Sequence, residues 1–267
     1  MTLRAISYGG GVQSTAMCIL AARGEIDYPL AIFANVGDRA EKAETIEYVG
    51  RHVMPWAANT SRIEIVQRRW VDRTGKERDL YDDVTRQGNK TIDIPVYMEG
   101  GAPGNRKCTS RYKIEVVGRE LRKRGATAIN PATVAVGIST DEIGRLNSRT
   151  SAAWEIPTYP LIDLRLTRSD CAQIIADEGL PPAPKSSCWF CPFQRPQQWA
   201  ERRRDNPELF IRGVEMEERI NENRAALGRD PVYLTSTLRP LRDLTEAQTP
   251  LFTDEGPESC DSGYCWT

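Results

Sequence analysis

Two stretches of the chain combine residue types that could do chemistry. Cys188-Trp189-Phe190-Cys191-Pro192-Phe193 sets two thiols three positions apart. That spacing lets both sulfurs reach one metal ion or neighbouring irons of a cluster, and a proline following such a pair is common where backbone bends around a cluster. The same pair also fits a thioredoxin-like redox couple. Near the N-terminus, Ser7-Tyr8-Gly9-Gly10-Gly11-Val12-Gln13-Ser14-Thr15 follows an apolar run and precedes Ala16-Met17-Cys18-Ile19-Leu20. Glycines at a strand-to-helix turn let backbone N–H groups close on an anion, and the helix N-terminus adds the positive end of its dipole. The turn suits phosphate or sulfate, although it lacks the lysine of a P-loop and the glycine spacing of a dinucleotide fingerprint.

Other residues narrow the chemistry. His52 is the only histidine, which argues against histidine acid–base catalysis and against a zinc site built on several histidines. Lys+Arg 36 against Asp+Glu 37 gives a net charge of −1, so any polyanion-binding role must come from local clusters. Arg106, Lys107, Arg111 and Lys113 surround Cys108, and Lys185 precedes Cys188. Arginine forks hold phosphate and sulfate oxygens well. The basic runs at 119–124 and 202–204 read instead as solvated helix faces. Cys18 and Cys171 sit in apolar helical surroundings and read as core. No apolar run is long enough to span a bilayer, and the first residues lead directly into a strand. A cytoplasmic, reducing location without a disulfide framework or membrane partner is expected.

These residues need elements to position them. A chain of 267 residues fits one α/β domain with an appendage and one main core. Apolar runs predict strands over 3–8, 28–34, 63–66 and 133–138, and helical spacing predicts helices over 12–23, 43–53, 111–124, 167–178 and 207–223. The helix from residue 43 is expected to end near Pro55. Alternation of strand and helix predicts a doubly wound, mainly parallel α/β sheet. The expected organisation is a nucleotide-binding domain over 1–180 with a polar surface excursion at 70–105, a helical extension carrying the Cys-x-x-Cys pair over 181–250, and a flexible tail over 251–267. Pro181-Pro182-Ala183-Pro184 makes the linker extended.

Gly9 through Ser14 resembles the Ser-Gly-Gly-x-Asp-Ser loop of the N-type ATP pyrophosphatase (PP-loop) superfamily, with Gly9 replacing the first serine and Gln13 the aspartate. Gly11-Val12-Gln13 is similar to a Gly-Ile-Gln sequence of phosphoadenylyl-sulfate (PAPS) reductases. The stretch from Phe33 to Asp38 is similar to the Asp-Thr-Gly segment beside the nucleotide, with Asn35 in place of aspartate, and Glu44-Thr45 resembles the Glu-Thr that follows. Gly137 to Glu142, with Arg145, resembles the glycine-started segment that carries an arginine toward substrate. Asp38 and Glu41 also fit a loop that caps the next helix. The resemblance runs from Ser7 to about Leu241. It implies a Rossmann-like PP-loop fold, with Ser7, Gly9, Gly10, Gly11, Gln13, Ser14, Thr15, Asn35, Gly37, Lys113 and Gly137 binding nucleotide and Arg145 in catalysis. The implied nucleotide is ATP or adenylyl sulfate, with Mg as an accompanying ion.

Adenylyl-sulfate reductases hold a 4Fe-4S cluster on a Cys-Cys pair and a later Cys-x-x-Cys. By this resemblance Cys108, Cys188 and Cys191 are three ligands, with Lys107 in the pair's first place and the fourth iron open or held by another group. Cluster-containing sulfurtransferases of the superfamily use such an open iron to bind sulfur. Structural zinc takes four protein ligands and would need a tail cysteine, so a cluster ranks ahead of zinc. The tail around Cys260 and Cys265 is loosely similar to the Glu-Cys-Gly end of PAPS reductases, which implies both as catalytic thiols. Two tail thiols could also close a disulfide on each other, and incidental thiols on a terminus are the alternative. The resemblance thus implies reduction of an adenylyl sulfate with a thioredoxin-like reductant. ATP-dependent thiolation of a nucleobase or similar carbonyl, with tRNA or DNA as acceptor, is the second expectation, and a non-catalytic nucleotide-binding module the third. The oligomeric state is left open.

Overall fold

Short apolar runs bounded by polar loops build the sheet, and the computed structural model describes it within residues 2–60, 62–148 and 152–244. In chain order the strands are β1 (Arg4–Tyr8), β2 (Leu30–Ala34), β3 (Glu64–Arg68), β4 (Tyr97–Met98), β5 (Ala132–Ala135), β6 (Glu155–Thr158) and β7 (Val232–Tyr233). Five of them form a parallel sheet in the order β3-β2-β1-β5-β6. Side chains alternate across it. Ile6, Tyr8, Ala31, Phe33 and Ala135 face one core with helices α1 (Val12–Arg23), α7 (Pro160–Asp163) and α8 (Arg168–Asp177). Ala5, Leu30, Ile32, Ala34, Ala132 and Val134 face the other with α6 (Glu115–Lys123). The sheet is covered on both faces, as parallel sheets require. Strand β6 lies at the sheet's edge, which tolerates its Pro157.

Several expected elements change shape. The helix from Ala43 does not stop at Pro55. It runs as α2 (Ala43–Tyr48), a π-helical turn (Val49–Val53) and α3 (Met54–Thr60). Proline cannot donate to the carbonyl four residues back, and the wider turn falls just where that bond is lost. The helix expected over 111–124 begins earlier, as α5 (Lys107–Thr109) and a second π turn (Ser110–Ile114) leading into α6. Thr167 caps α8 through a reciprocal capping box with Asp170.

The expectation of one main core and a surface excursion at 70–105 is corrected. That segment contains α4 (Leu80–Thr85) and β4, and it buries Leu80, Tyr81, Val84, Ile94 and Val96. Strand β4 pairs antiparallel with β7 from the far end of the chain. With Trp189, Phe190, Trp199, Phe210 and Met216 these residues form a second core, under α9 (Pro196–Asp205) and α10 (Pro207–Ala225). Its apolar residues are too scattered in sequence to show one period, because each half completes the other's face. Among the described residues no helix is long and apolar enough to cross a membrane.

Buried Glu217 on α10 ties down the end of this second core. Its carboxylate accepts from the backbone N–H of Leu234 at 2.7 Å and of Leu241 at 2.6 Å. Burial outweighs both bonds and pushes its pKa from 4.5 to about 7. A carboxyl whose folded pKa lies above its unfolded value takes up a proton on folding. Its contribution to stability is therefore fullest below pH 4.5 and falls as pH rises to about 7. Glu217→Gln should flatten the stability profile across that window in denaturant titrations. Its amide accepts through one oxygen only, so below pH 4.5 stability should drop by about 1–3 kcal/mol, a deficit that shrinks as pH rises to about 7. An unchanged slope would refute the assignment.

Candidate functional site

The chain leaves β1 toward β2 on one side and returns to β5 on the other, so the sheet's switch point lies between β1 and β5. Ligands of open α/β sheets bind in the crevice at the strands' carboxyl ends there. The glycine turn occupies this place. Gly10 has a φ of +76°, and a methyl on it would stand 2.8 Å from Thr45 Cγ2 and 3.1 Å from Val49 Cγ2. Gly137, just past β5, would bring a methyl to 3.2 Å from the Ser14 nitrogen. The turn and the β5 end therefore touch through missing side chains.

Helix α1 starts without a side-chain cap and without an acidic residue in its first turn, so its dipole end is uncompensated. The Ser14 hydroxyl accepts from Gly9 N–H at 3.3 Å and donates to the Gly11 carbonyl at 3.2 Å, which braces the turn. Thr15 looks inward instead, sharing a hydrogen bond with the Tyr8 hydroxyl at 3.3 Å. Around the turn, buried Ser7 Oγ, Gln13 Nε2, Thr45 Oγ1, Ser139 Oγ and Ser187 Oγ have no hydrogen-bond partner. Arg168 at the start of α8 reaches Gln13 Oε1 at 3.4 Å.

At the end of β2, Asn35 organises its own loop. Its Oδ1 accepts from Gly37 N–H at 2.8 Å and its Nδ2 donates to Asp38 at 3.0 Å. Asp38 is paired with Arg69, which holds its carboxyl below the usual range. Gly37 packs against Asp79, the cap of α4, which also accepts from Arg39 N–H at 2.9 Å. Asp38 and Glu41 do not cap α2, whose N-cap is Lys42. Arg145 lies in a 3-10 segment (Thr140–Ser148) after β5. Cys260 and Cys265 lie outside the described residues.

The cysteine turn is laced onto this site. The Ser186 hydroxyl donates to the Gly9 carbonyl. Lys42 N–H donates to the Ser187 carbonyl at 3.3 Å, Trp189 N–H to the Ala40 carbonyl at 3.1 Å, and Glu41 and Cys188 form an antiparallel bridge. Cys188 and Cys191 are buried, Cys108 is half-buried against the same core, and none forms a disulfide. Arg106, two residues before Cys108, stacks on Phe193, two residues after Cys191. Burial raises all three thiols, Cys191 to about 11, and each thiol also feels the charge of Lys113. Lys113, expected among nucleotide contacts, is thus placed beside the thiols. Cys18 and Cys171 are core residues, and burial pushes the Cys171 thiol to about 12.

Among the described residues no three Cys, His, Asp or Glu side chains converge tightly enough to hold a single metal ion. Cys108, Cys188 and Cys191 come from two segments of the chain and are walled by Trp189, Phe190 and Phe193. Beside them opens a cleft of about 760 Å³ between the 38–44 loop, Lys185, Trp189, α9 and α10. Arg212 lies over the Tyr81 and Trp189 rings at its wall, and burial lowers the Arg202 pKa to about 10. In the remaining basic runs Arg203 donates to the Leu244 carbonyl, exposed Arg204 pairs with Asp205, and Arg124 pairs with Glu64 and Glu120.

No protein-family model matches this sequence, and no characterised protein matches it. The geometry adds Arg168 and Ser186 to the residues read from sequence. Ser186 is signalled only by its place before Cys188, and Arg168 by nothing local, since its approach depends on α8 packing against α1. Gly10→Ala should lower stability by about 1–2 kcal/mol from the left-handed backbone alone. The contact with Thr45 adds to that loss, so Thr45→Ser in the Gly10→Ala background should recover the steric part. Strict additivity in a double-mutant cycle would show that the turn and α2 are not in contact.

Proposed function

We propose that the chain is a PP-loop, PAPS-reductase-like enzyme that holds an adenine nucleotide oxyanion on the turn between β1 and α1 and carries out sulfur chemistry beside it. The observation supporting this is the ring of buried, unpartnered polar side chains around that turn: Ser7, Gln13, Thr45, Ser139 and Ser187. Buried polar groups are normally satisfied, and a bound oxyanion and ribose would satisfy these. The uncapped start of α1 supplies attraction for negative charge, and Arg168 stands at its flank.

Cys108, Cys188 and Cys191 are the residues that would hold a 4Fe-4S cluster, which when bound supplies positive charge and redox-active iron next to the nucleotide. In the reductive reading a tail thiolate, from Cys260 or Cys265, attacks the sulfur of an adenylyl sulfate. The sulfur–oxygen bond to the nucleotide phosphate breaks, and the nucleotide leaves as its monophosphate. A second thiolate then displaces sulfite and closes a disulfide, which a thioredoxin-like dithiol reduces. The cleft of about 760 Å³ beside the cysteine turn favours a second reading. There it receives an acceptor whose carbonyl is adenylated by ATP before sulfur replaces the oxygen.

Anaerobically purified protein should release sulfite and nucleotide monophosphate from an adenylyl sulfate in the presence of a dithiol. Cys260→Ser or Cys265→Ser should reduce that rate by roughly 100-fold or more. Pyrophosphate release from ATP that requires an added nucleobase acceptor would replace the first reading with the second. Nucleotide binding with neither turnover would defeat both.

A further inference from the structure

Glu41 is a buried carboxylate that none of the functions above uses. It is 4% exposed, and no hydrogen bond reaches its Oε1. Its backbone stands directly opposite Cys188 in the antiparallel bridge, and the bonds from Lys42 to Ser187 and from Trp189 to Ala40 fix that register on both sides. Residues directly opposite in an antiparallel pair have Cβ atoms about 4.5–5.5 Å apart and project to the same face. The carboxylate and the Cys188 thiol therefore leave the backbone side by side.

Charge effects agree with that placement. Burial raises the Glu41 carboxyl despite the opposing charges of Lys113 and Lys42 and the backbone N–H groups of Lys42 and Ser187. After burial, Glu41 is the largest influence raising the Cys188 thiol. Lys113 acts on Glu41 and on all three thiols, so all five groups share one enclosed neighbourhood. A buried carboxylate oxygen without a donor partner is costly unless it meets a cation.

We propose that Glu41 is the fourth protein ligand of the iron–sulfur centre, bound to the iron that Cys108, Cys188 and Cys191 leave open. This rests on the cluster reading above. A carboxylate is a harder and weaker donor to such iron than a thiolate, so the fourth position is closed at rest and exchangeable. When bound, the cluster would supply an iron position at which a sulfur ligand such as hydrosulfide could displace the carboxylate. Glu41 would leave that position as the carboxylate anion, with no change of oxidation state.

The test uses the full chain, reconstituted anaerobically with iron and sulfide, as wild type, Glu41→Ala, Glu41→Gln and Glu41→Cys. Iron content, the EPR spectrum of the reduced protein and the rate of conversion to a three-iron cluster under ferricyanide are measured. Wild type should hold about four irons per chain. Glu41→Ala and Glu41→Gln should lose the unique iron roughly tenfold faster or more, with altered EPR spectra, and Glu41→Cys should lose it more slowly than wild type. Glu41→Gln keeps the side-chain shape, so it reports even if Glu41→Ala misfolds. A cluster whose spectrum and iron loss are the same in all four proteins would overturn the Glu41 assignment and leave the cluster reading intact. Wild type that binds no iron would instead overturn the cluster reading, and the ligand assignment with it.

Discussion

The site depends on one short lacing of backbone, the run Ser186 to Trp189 against Gly9 and the Ala40–Lys42 loop. Sheet and second core are built from different parts of the chain, and this run fastens one to the other. It does so at the carboxyl end of β1, where the glycine turn is, and beside β2, where the loop carrying Glu41 begins. Each bond is modest alone, at about 0.5–1.5 kcal/mol. Their value is positional: the glycine turn and the cysteine turn share the same few residues, so neither can shift without the other.

The glycines follow from that crowding. Gly10 must turn through a left-handed conformation while α2 presses Thr45 against it, and Gly137 lets the end of β5 meet the start of α1. The result is a helix N-terminus with buried hydroxyls near it that find no hydrogen-bond partner. Burying such groups is unfavourable without a partner, which is the physical basis of the nucleotide proposal. Asn35 illustrates the contrast. It lies equally deep, but both ends of its amide are used within the loop, so it shapes the site rather than offering itself to a ligand.

Much of this was legible in the chain. Runs such as Leu30–Ala34 are buried on both faces and therefore apolar at every position, and the order of strands and helices is enough to predict a parallel sheet. Helix α1 and its glycine stop match the pattern residue for residue. Illegible were the elements whose stability comes from distant partners. Helix α9 reads as polar because Trp199 and Ala200 alone are buried on it, and α4 and β4 find their counterparts in α10 and β7. The same holds for side chains: Ser186 has no local pattern, and Glu41 looks like a solvated loop acid until the bridge to Cys188 is formed.

That bridge also explains why the thiols need not be reactive in themselves. Buried thiols in apolar walls are held in the protonated form, as Cys171 is, and Cys188 and Cys191 are pushed the same way. A nucleophilic cysteine wants the opposite environment, open and electropositive. Cys188 and Cys191 therefore suit a role as ligands, whose protons leave when a metal centre arrives, better than a role as a redox couple exchanging with solvent thiols. The positive charges of Lys113, Lys42 and Arg106 offset part of that burial, yet the thiols stay raised. The cluster proposed above would supply the cationic centre to which such buried thiols could lose their protons.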